Sequence, residues 1–600
     1  MQPEPSTRRI RIGGGSGYWG DSDMAVPQLL STRDLDYIAF DYLAEITMSI
    51  LARARAKSPE LGYATDFVQQ VMAPNLAELS SQGVKILANA GGVNPTACTA
   101  EIEGLISDAG LDLTVATVIG DDLTDRGGAF VAAEEMFSGV AFPSADAVAS
   151  INAYLGAFPI AEALQTGADI VVTGRCVDSA LALAACIHEF GWGPGDWDLL
   201  AAGSLAGHLI ECGPQATGGN HTDWETVASE LDSIGYPIAE VTEAGTIEIT
   251  KPNGTGGYVS RGTVAEQLLY EIGDPRRYVL PDVVCDFSEV VVEEVERDRV
   301  LVTGAVGRPA PSTYKVSATY TDGYRMISTW FFVGSDSEAR ARCFADGAIA
   351  RTRRKLEAQG LGDFTEIEID PFGAGSHFSH DAPERATREV ALRIAARHED
   401  PRALTALLKE TTGMALATPP GMALYTGGRP SASPVVRLFS FLVEKEDVDV
   451  RIRIGDRESA HVPDRTVDRP IDSAAPTPEP PLDLGESMSV PLRDLVWGRS
   501  GDKGNNANIG LIARDPRYLP HVWDQVTEDL VATTFEHFLR GEVERFHLPG
   551  TNSMNVVLHD VLGGGGVASL RVDPQGKSYA EILLDARIDM PRELVAGGVS

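Results

Sequence analysis

The amino-acid sequence predicts an α/β protein, with a doubly wound, mostly parallel sheet in the N-terminal region, then α+β elements, then a separate small α+β domain. Three observations predict it. From residue 8 to about 190 one unit recurs: a short apolar run, a Gly- or Asp-rich loop, then a segment of helical periodicity. From about 300 to 465, strand-like runs flank a helical region. Residues 466–487 (TVDRPIDSAAPTPEPPLDLGES) carry five Pro among Ser, Asp and Glu without an apolar period, the composition of a linker. A chain of 600 residues exceeds what one core supports. The predicted order is a Rossmann-like region over 1–300, an α+β region over 301–465 that completes the large domain, the linker at 466–487, and the small domain at 488–600.

The first strands are read in RRIRIG (8–13), DYIAFDYL (36–43), GVKILANA (83–90), LTVATVIG (113–120) and ADIVVTG (168–174). After the third, Asn94 suits an N-cap and Pro95 the first helical position. After the fifth, Asp178 or Ser179 caps a helix that stops near Gly191. Such joints place ligands at the carboxyl ends of strands. The Gly-rich stretch 200–300 reads as loops and hairpins feeding one helix capped by Thr263, and strands follow at 314–332 and 435–455. In the last domain SVPLRDLVWG, NANIGLIAR, NSMNVVLHDVL and SYAEILLDARIDM read as strands, with one helix around 522–540.

Charge and cysteine usage narrow the function. With 86 acidic against 50 basic side chains the formal charge is −36, which argues against nucleic-acid partners and anionic membrane surfaces. Six dispersed Cys without a CxxC pair suggest neither a zinc site nor a disulfide framework, and the expectation is reduced thiols with no metal. The N-terminus lacks an apolar stretch of signal-peptide length and no window reaches the run needed to span a bilayer, so a cytoplasmic protein is expected.

Several motifs carry candidate chemistry. GGGSGYWGDSD (13–23) holds Gly15-x-Gly17-x-x-Gly20 directly after a strand, with Asp36 at a plausible offset, the outline of a dinucleotide fingerprint; the other reading is a structural turn, or a pocket wall formed by Tyr18, Trp19 and Asp21. Asn94, Arg175 and Asp178 fall at strand ends, as caps, ligand contacts or both. Arg175 there suits a carboxylate or phosphate. IECGPQATGGNH sets Cys212 and His221 in one loop with Glu211 and Asn220, the makings of a nucleophile pair or a coincidence of spacing. HFSH (377–380) has a metal-like separation without a partnering carboxylate pattern. GTGGYVSRGT leads through Arg261 into a helix and forms either an anion site or a hairpin and cap. WGRSGDKGNNANIG (497–510) places Arg499, Asp502, Lys503 and Asn505 in a Gly-punctuated loop that turn chemistry explains only in part.

In these motifs and their order the chain resembles the acyclic terpene utilisation family, AtuA, over nearly its full length. GGGSGYWGD, AGGVNP, GRCVDSALALA, IECGPQATGGN and YVLPDVVCDF match its large N-terminal region, and RSGDKGNNANIG and LPGTNSMNVVLHDVLGGGG its small C-terminal module. The resemblance implies a role in breaking down acyclic terpenes or related branched acids as coenzyme A thioesters, and carries over no catalytic residue. The leading expectation is therefore an enzyme acting on a branched or hydroxylated acyl-CoA as a hydratase or carbon–carbon lyase. Asp21, Asp178, His221 and Lys503 are its titratable candidates, and coenzyme A enters as part of the substrate rather than as a bound cofactor. Two other readings stand beside it: a non-catalytic subunit or scaffold for an acyl-CoA carboxylase or dehydrogenase, and an NAD-linked oxidoreductase. Homo-oligomerisation is a general expectation for such a chain.

Overall fold

The computed structural model describes residues 8–21, 23–378, 387–423, 430–464, 476–481 and 485–596. All five expected strands are present: β1 (Arg9–Ser16), β2 (Tyr37–Phe40), β3 (Lys85–Ala88), β4 (Val115–Ile119) and, after β5 (Val148–Ala153), β6 (Ile170–Thr173). They lie parallel in the order β1-β2-β3-β6-β4. The sheet is nevertheless mixed. Beyond β1 it continues antiparallel through β7 (Ile238–Thr242), β8 (Ile247–Thr250), Arg299–Thr303 and Val291–Glu296, and beyond β4 through the hairpin Arg451–Ile454 and Arg457–Ala460, making eleven strands. Four of its ten pairings are parallel, which corrects the expected mostly parallel sheet. The reason is that hairpins at 238–250 and 451–460 extend both margins of a parallel centre, and an antiparallel pair needs only a short turn.

Each central strand is buried on both faces, and its residues alternate between two cores. Ile38, Phe40, Ile86, Ala88 and Val172 pack with α1 (Ala25–Leu30), α2 (Glu45–Lys57), α3 (Ala73–Gln82) and α4 (Pro95–Ala109). Tyr37, Ala39, Leu87 and Val171 pack with α5 (Phe158–Gln165), α6 (Ala180–Phe190), α7 (Trp197–Ile210) and α8 (Arg261–Leu269). Asn94 caps α4 with Pro95 at its first position, as expected. Helix α6 ends at left-handed Gly191, as the sequence predicts, but neither Asp178 nor Ser179 makes a capping bond; Ser179 is the N-cap residue and Asp178 turns toward Arg175. Helix α8 is capped by Ser260 rather than Thr263, which answers reciprocally from the third helical position.

The 301–465 region is interleaved with what precedes it. Its strand Thr313–Val333 pairs with β5, and Arg451–Ile454 pairs with β4. Helices Ser337–Gln359 and Pro401–Gly413 cover one face of the smaller sheet. The sequence-derived linker falls largely outside the described residues, as does part of HFSH.

In the small domain four antiparallel strands run in the order Val496–Lys503, Asn506–Ala513, Ser553–Leu558, Val543–Leu548. WGRSGDKGNNANIG is thus two strands joined by a two-residue turn at Gly504 and Asn505, not a long loop. The first half of SYAEILLDARIDM is a helix, Tyr579–Leu584, and the helical stretch near 522–540 is two short helices, Leu519–Gln525 and Glu528–Thr534. Period-two alternation divides the sheet: Ala507, Ile509, Leu511, Met554 and Val556 enter the domain's own core, while Asn508, Gly510, Ile512 and Asn555 face the large domain.

That outward face docks by hydrogen bonds. Asn508 donates to Leu269 O (2.7 Å) and to Asn555 Oδ1 (2.8 Å) and accepts from Glu271 N (3.0 Å); Asn555 donates to Ile272 O (2.6 Å) and Gly273 O (2.7 Å). Arg514 grips Asp223 with two bonds of 2.6 Å, joined by Trp497 Nε1 at 2.7 Å. Asn508→Ala strands the Leu269 carbonyl, the Glu271 amide and the Asn555 oxygen, so urea denaturation is expected to show a loss of about 2–4 kcal/mol. A loss under about 0.5 kcal/mol would mean that this face does not hold the domains together.

Candidate active site

The carboxyl ends of the parallel strands converge on one crevice. Asp41 immediately follows β2, Asn89 follows β3, and Arg175 and Asp178 lie just past β6. Glu211 arrives from the opposite direction, as the C-cap of α7. One carboxylate oxygen from each of Asp41, Asp178 and Glu211 lies within 4.8 Å of the others. Together with Gly14, Ala39, Leu181, Ala182, Gly207 and Ile210 they line a cavity of about 10 Å³, room for a single water-sized group.

Backbone geometry makes the convergence possible. A Cβ on Gly14 would overlap the Ile210 carbonyl, one on Gly17 would sit 2.9 Å from the Cys212 backbone, and one on Gly207 would be 2.7 Å from Ser179 Cα. The glycines within and just after the end of β1 therefore admit the end of α7, and Gly20 takes a left-handed φ of 95°. No helix starts inside the Gly15-x-Gly17-x-x-Gly20 motif, and the Asp36 carboxylate accepts from Arg11 N (2.7 Å) on β1. The dinucleotide spacing thus has a packing cause here.

Three carboxylates this close cannot all remain ionised. Burial, with Asp178 alongside, pushes Asp41 up to about 7, although Arg175 and the Asn89 amide pull it down. Burial, with Asp178 and Asp41, holds Glu211 well above the ordinary carboxylate range. The carboxyl end of α7 adds negative potential at that position. Arg175, buried over the Tyr154 ring at 4.3 Å, donates from Nη1 to Asp178 Oδ1 (3.0 Å) and to Cys176 O (2.9 Å). Its own amide donates to Asp121 Oδ2 (2.8 Å), whose carboxyl burial lifts to about 7. The arrangement offers proton donors and acceptors side by side, as general acid–base chemistry needs. An all-oxygen trio of this kind is also a donor set suited to a hard divalent cation.

The sequence-predicted residues divide. Arg175 and Asp178 belong to the crevice. Lys503 lies on the small domain, with Nζ 5.7 Å from the Tyr278 ring centroid, and Asp502 beside it receives Lys577 at 2.9 Å. Asp21 is committed to the turn, accepting from Gly17 N (2.9 Å) and the Tyr236 hydroxyl (2.8 Å); Trp19 donates to Asp66 (2.6 Å), and Tyr18 is exposed. Asn94 holds Pro59 O and Leu61 O at 2.9 Å besides capping α4. His221 is buried with Nδ1 3.0 Å from Glu266, while Cys212 donates to Glu211 (3.1 Å) and its thiol is pushed well up by burial and by Glu211. Cys212 and His221 thus engage different carboxylates, which favours the coincidence of spacing over a nucleophile pair. Asn220 O accepts from Arg499 (3.0 Å), and Arg261 reaches Thr551 O (3.1 Å), so these serve the domain seam. The Arg261 amide faces Glu294 (3.4 Å), a carboxylate supplied by the chain itself at the start of α8. Asn505 accepts from Gly564 N (2.7 Å) and donates to Asp560.

Sequence reasoning missed Asp41 and Asn89 as site residues, treated Glu211 as a bystander and overlooked Glu271 and Lys577. The available signal was position: Asp41 and Asn89 are the first polar residues after apolar strands. A larger groove of about 1170 Å³ lies between α4 and the 451–460 hairpin, lined by Ile106, Leu113, Ile452 and Ile454, but its charged residues Glu103, Asp456, Arg457 and Glu458 are all exposed.

Comparison with protein families decides the relationship. The description "Acyclic terpene utilisation family protein AtuA" matches residues 10–454, and "AtuA ferredoxin-like domain" matches residues 490–589. The chain belongs to the AtuA family. Searches of curated proteins and of solved structures gave no match. The crevice lies within the matched AtuA region, and the ferredoxin-like domain is the small domain docked against it. No helix among the described residues is long and apolar enough to cross a membrane.

The raised Asp41 carboxyl has a thermodynamic consequence. A carboxyl whose folded pKa exceeds its unfolded one contributes stability that is fully present below the unfolded value, near pH 4, and is lost as pH rises through the folded value, about 7. Asp41→Asn should match the wild type near pH 4 and exceed it at pH 8 by up to about 4 kcal/mol in urea melts. A difference that stays constant across that window would contradict the assignment.

Proposed function

We propose that this AtuA-family protein is an acid–base enzyme of acyclic terpene or branched-acid breakdown, acting on a branched or hydroxylated acyl-CoA thioester as a hydratase or carbon–carbon lyase. The observation that carries this reading is the trio Asp41, Asp178 and Glu211 within 4.8 Å, with Asp41 lifted to about 7 and Glu211 well up. Hydration of an unsaturated thioester needs a carboxylate to take a proton from water as its oxygen bonds to Cβ. The electron pair moves onto the thioester oxygen, and a neighbouring protonated carboxyl returns a proton to Cα. Retro-aldol cleavage uses the same pair: the base takes the proton of a 3-hydroxyl, the Cα–Cβ bond breaks, and the acid protonates Cα. Arg175 orients Asp178 in either case, and Glu211 serves as the donor.

The test is turnover of a panel of branched enoyl- and 3-hydroxyacyl-CoAs, followed by thioester mass spectrometry. Asp178→Asn and Glu211→Gln should each lower the rate about 10²- to 10⁴-fold. Turnover that survives both substitutions would move the chemistry elsewhere.

One observation favours a second reading, a scaffold for a carboxylase or dehydrogenase. Val131, Met136, Phe137 and Val140 are exposed along one arm whose Met136 amide donates to Ser440 O (2.8 Å), beside exposed Leu442. Phe137→Ser with Val140→Ser should leave turnover unchanged under the enzymatic reading, and should abolish co-purification with a pathway enzyme under the scaffold reading.

A further inference from the structure

We propose that the small domain completes the active site, with Lys503 bringing its ammonium to an anionic oxygen of the acyl substrate and Glu271 serving as the positioning residue. The inference rests on the acyl-CoA reading above and names what its second domain does.

The direction of Lys503 follows from the pleat of its strand. Val496 and Ser500 face the small domain's own core, the latter accepting from Ala580 N (3.0 Å). Trp497, Arg499 and Gly501 face the large domain, toward Asp223, Asn220 and Glu271. Lys503, an exposed residue, continues that alternation, and its ammonium reaches the Tyr278 ring at 5.7 Å. Tyr278 connects Lys503 to the helix that delivers Glu211: its ring lies 5.9 Å from that of His208 on α7, and the charges of Asp178 and Glu211 act on its phenol.

Glu271 is held in an uncommon conformation. Its φ is 58°, in the left-handed region that non-glycine residues rarely occupy. The bonds from Asn508 and Asn555 fix the turn Leu269–Gly273 in that shape. A Cβ on Gly501 would stand 2.6 Å from Glu271 Cγ, so the strand carrying Lys503 lies directly on this side chain. The Glu271 carboxylate accepts from Lys577 Nζ (2.8 Å), which also bonds Asp502 (2.9 Å), the neighbour of Lys503. Burial works to raise Glu271, but Lys577 and Lys503 override it and hold the carboxyl below its ordinary value. A negative Glu271 therefore holds Lys577 by a direct bond and attracts Lys503 through its charge, while its side chain packs under the strand that carries Lys503.

An ammonium at this place serves an acyl thioester in one of two ways. When the trio removes a Cα proton, the C–H bond breaks, an O–H bond forms on the carboxylate, and the electron pair moves to the thioester oxygen as an enolate, which Lys503 neutralises. A free carboxylate at the far end of the acyl chain would meet the same charge.

The experiment uses the full chain with 3-methylglutaryl-CoA and 3-methylbutyryl-CoA as probes, calorimetry for Kd and deuterium exchange at Cα for enolate formation. If a terminal carboxylate is the ligand, Lys503→Met raises the Kd of 3-methylglutaryl-CoA tenfold or more and leaves 3-methylbutyryl-CoA alone. If an enolate is the ligand, it slows Cα exchange at least tenfold with Kd unchanged. Lys503→Arg restores most of either effect. Values within twofold of wild type for both probes overturn the proposal. A wild type that neither binds nor exchanges either probe overturns the acyl-CoA reading instead. Positioning is then judged without substrate: Glu271→Gln should speed acetylation of Lys503 by an amine-reactive ester at least threefold in peptide mapping. An unchanged rate, in folded protein, overturns the role of Glu271.

Discussion

Asp41, Asp178 and Glu211 meet at the ends of parallel strands, and three negative charges cannot be held that close together in a buried setting. Much of the surrounding structure answers this constraint. Asn89 donates to Asp41 while its own oxygen accepts from Tyr42 N (2.7 Å), so β2 and β3 are tied just where the charge lies. Arg175 supplies positive charge from the opposite side. What remains is relieved by protonation, which turns a repulsive cluster into a proton store poised near neutrality.

The same constraint explains why glycine recurs around the crevice. Gly14, Gly17 and Gly207 let the end of α7 approach β1 and the start of α6 at backbone distance, so that Glu211 is delivered to carboxylates carried by strands. The antiparallel margins of the sheet do not enter this arrangement. They widen the platform, and through β8 and its neighbours they lead to α8, the seat of the small domain, where Asn508 and Asn555 add directional bonds to the apolar contact made by Ile512 and Leu548. A seam built on such bonds fixes register as well as proximity, which a catalytic edge supplied by a second domain requires.

How much was legible in the sequence depended on whether the signal was local. The five strands, the cap at Asn94 and the stop at Gly191 follow from periodicity and end chemistry within a few residues, and all were found. Strand direction at the margins was not legible, because the pairing of 451–454 with β4 joins residues more than 300 positions apart. Of the site, Arg175 and Asp178 were found because a charged pair just past an apolar strand is a local pattern. Asp41 was hidden inside the apolar-looking run DYIAFDYL, and Glu211 looked like part of a loop. Their meaning comes from convergence in space, as does the commitment of Asp21 to Tyr236 and of His221 to Glu266.

The central claim, that the carboxylate trio stores a proton near neutral pH, is tested most directly by infrared difference spectroscopy of wild type against Glu211→Gln at pH 7. The account predicts a protonated-carboxyl band in the wild type that the substitution removes. A wild-type spectrum with carboxylate bands alone at these positions would contradict it.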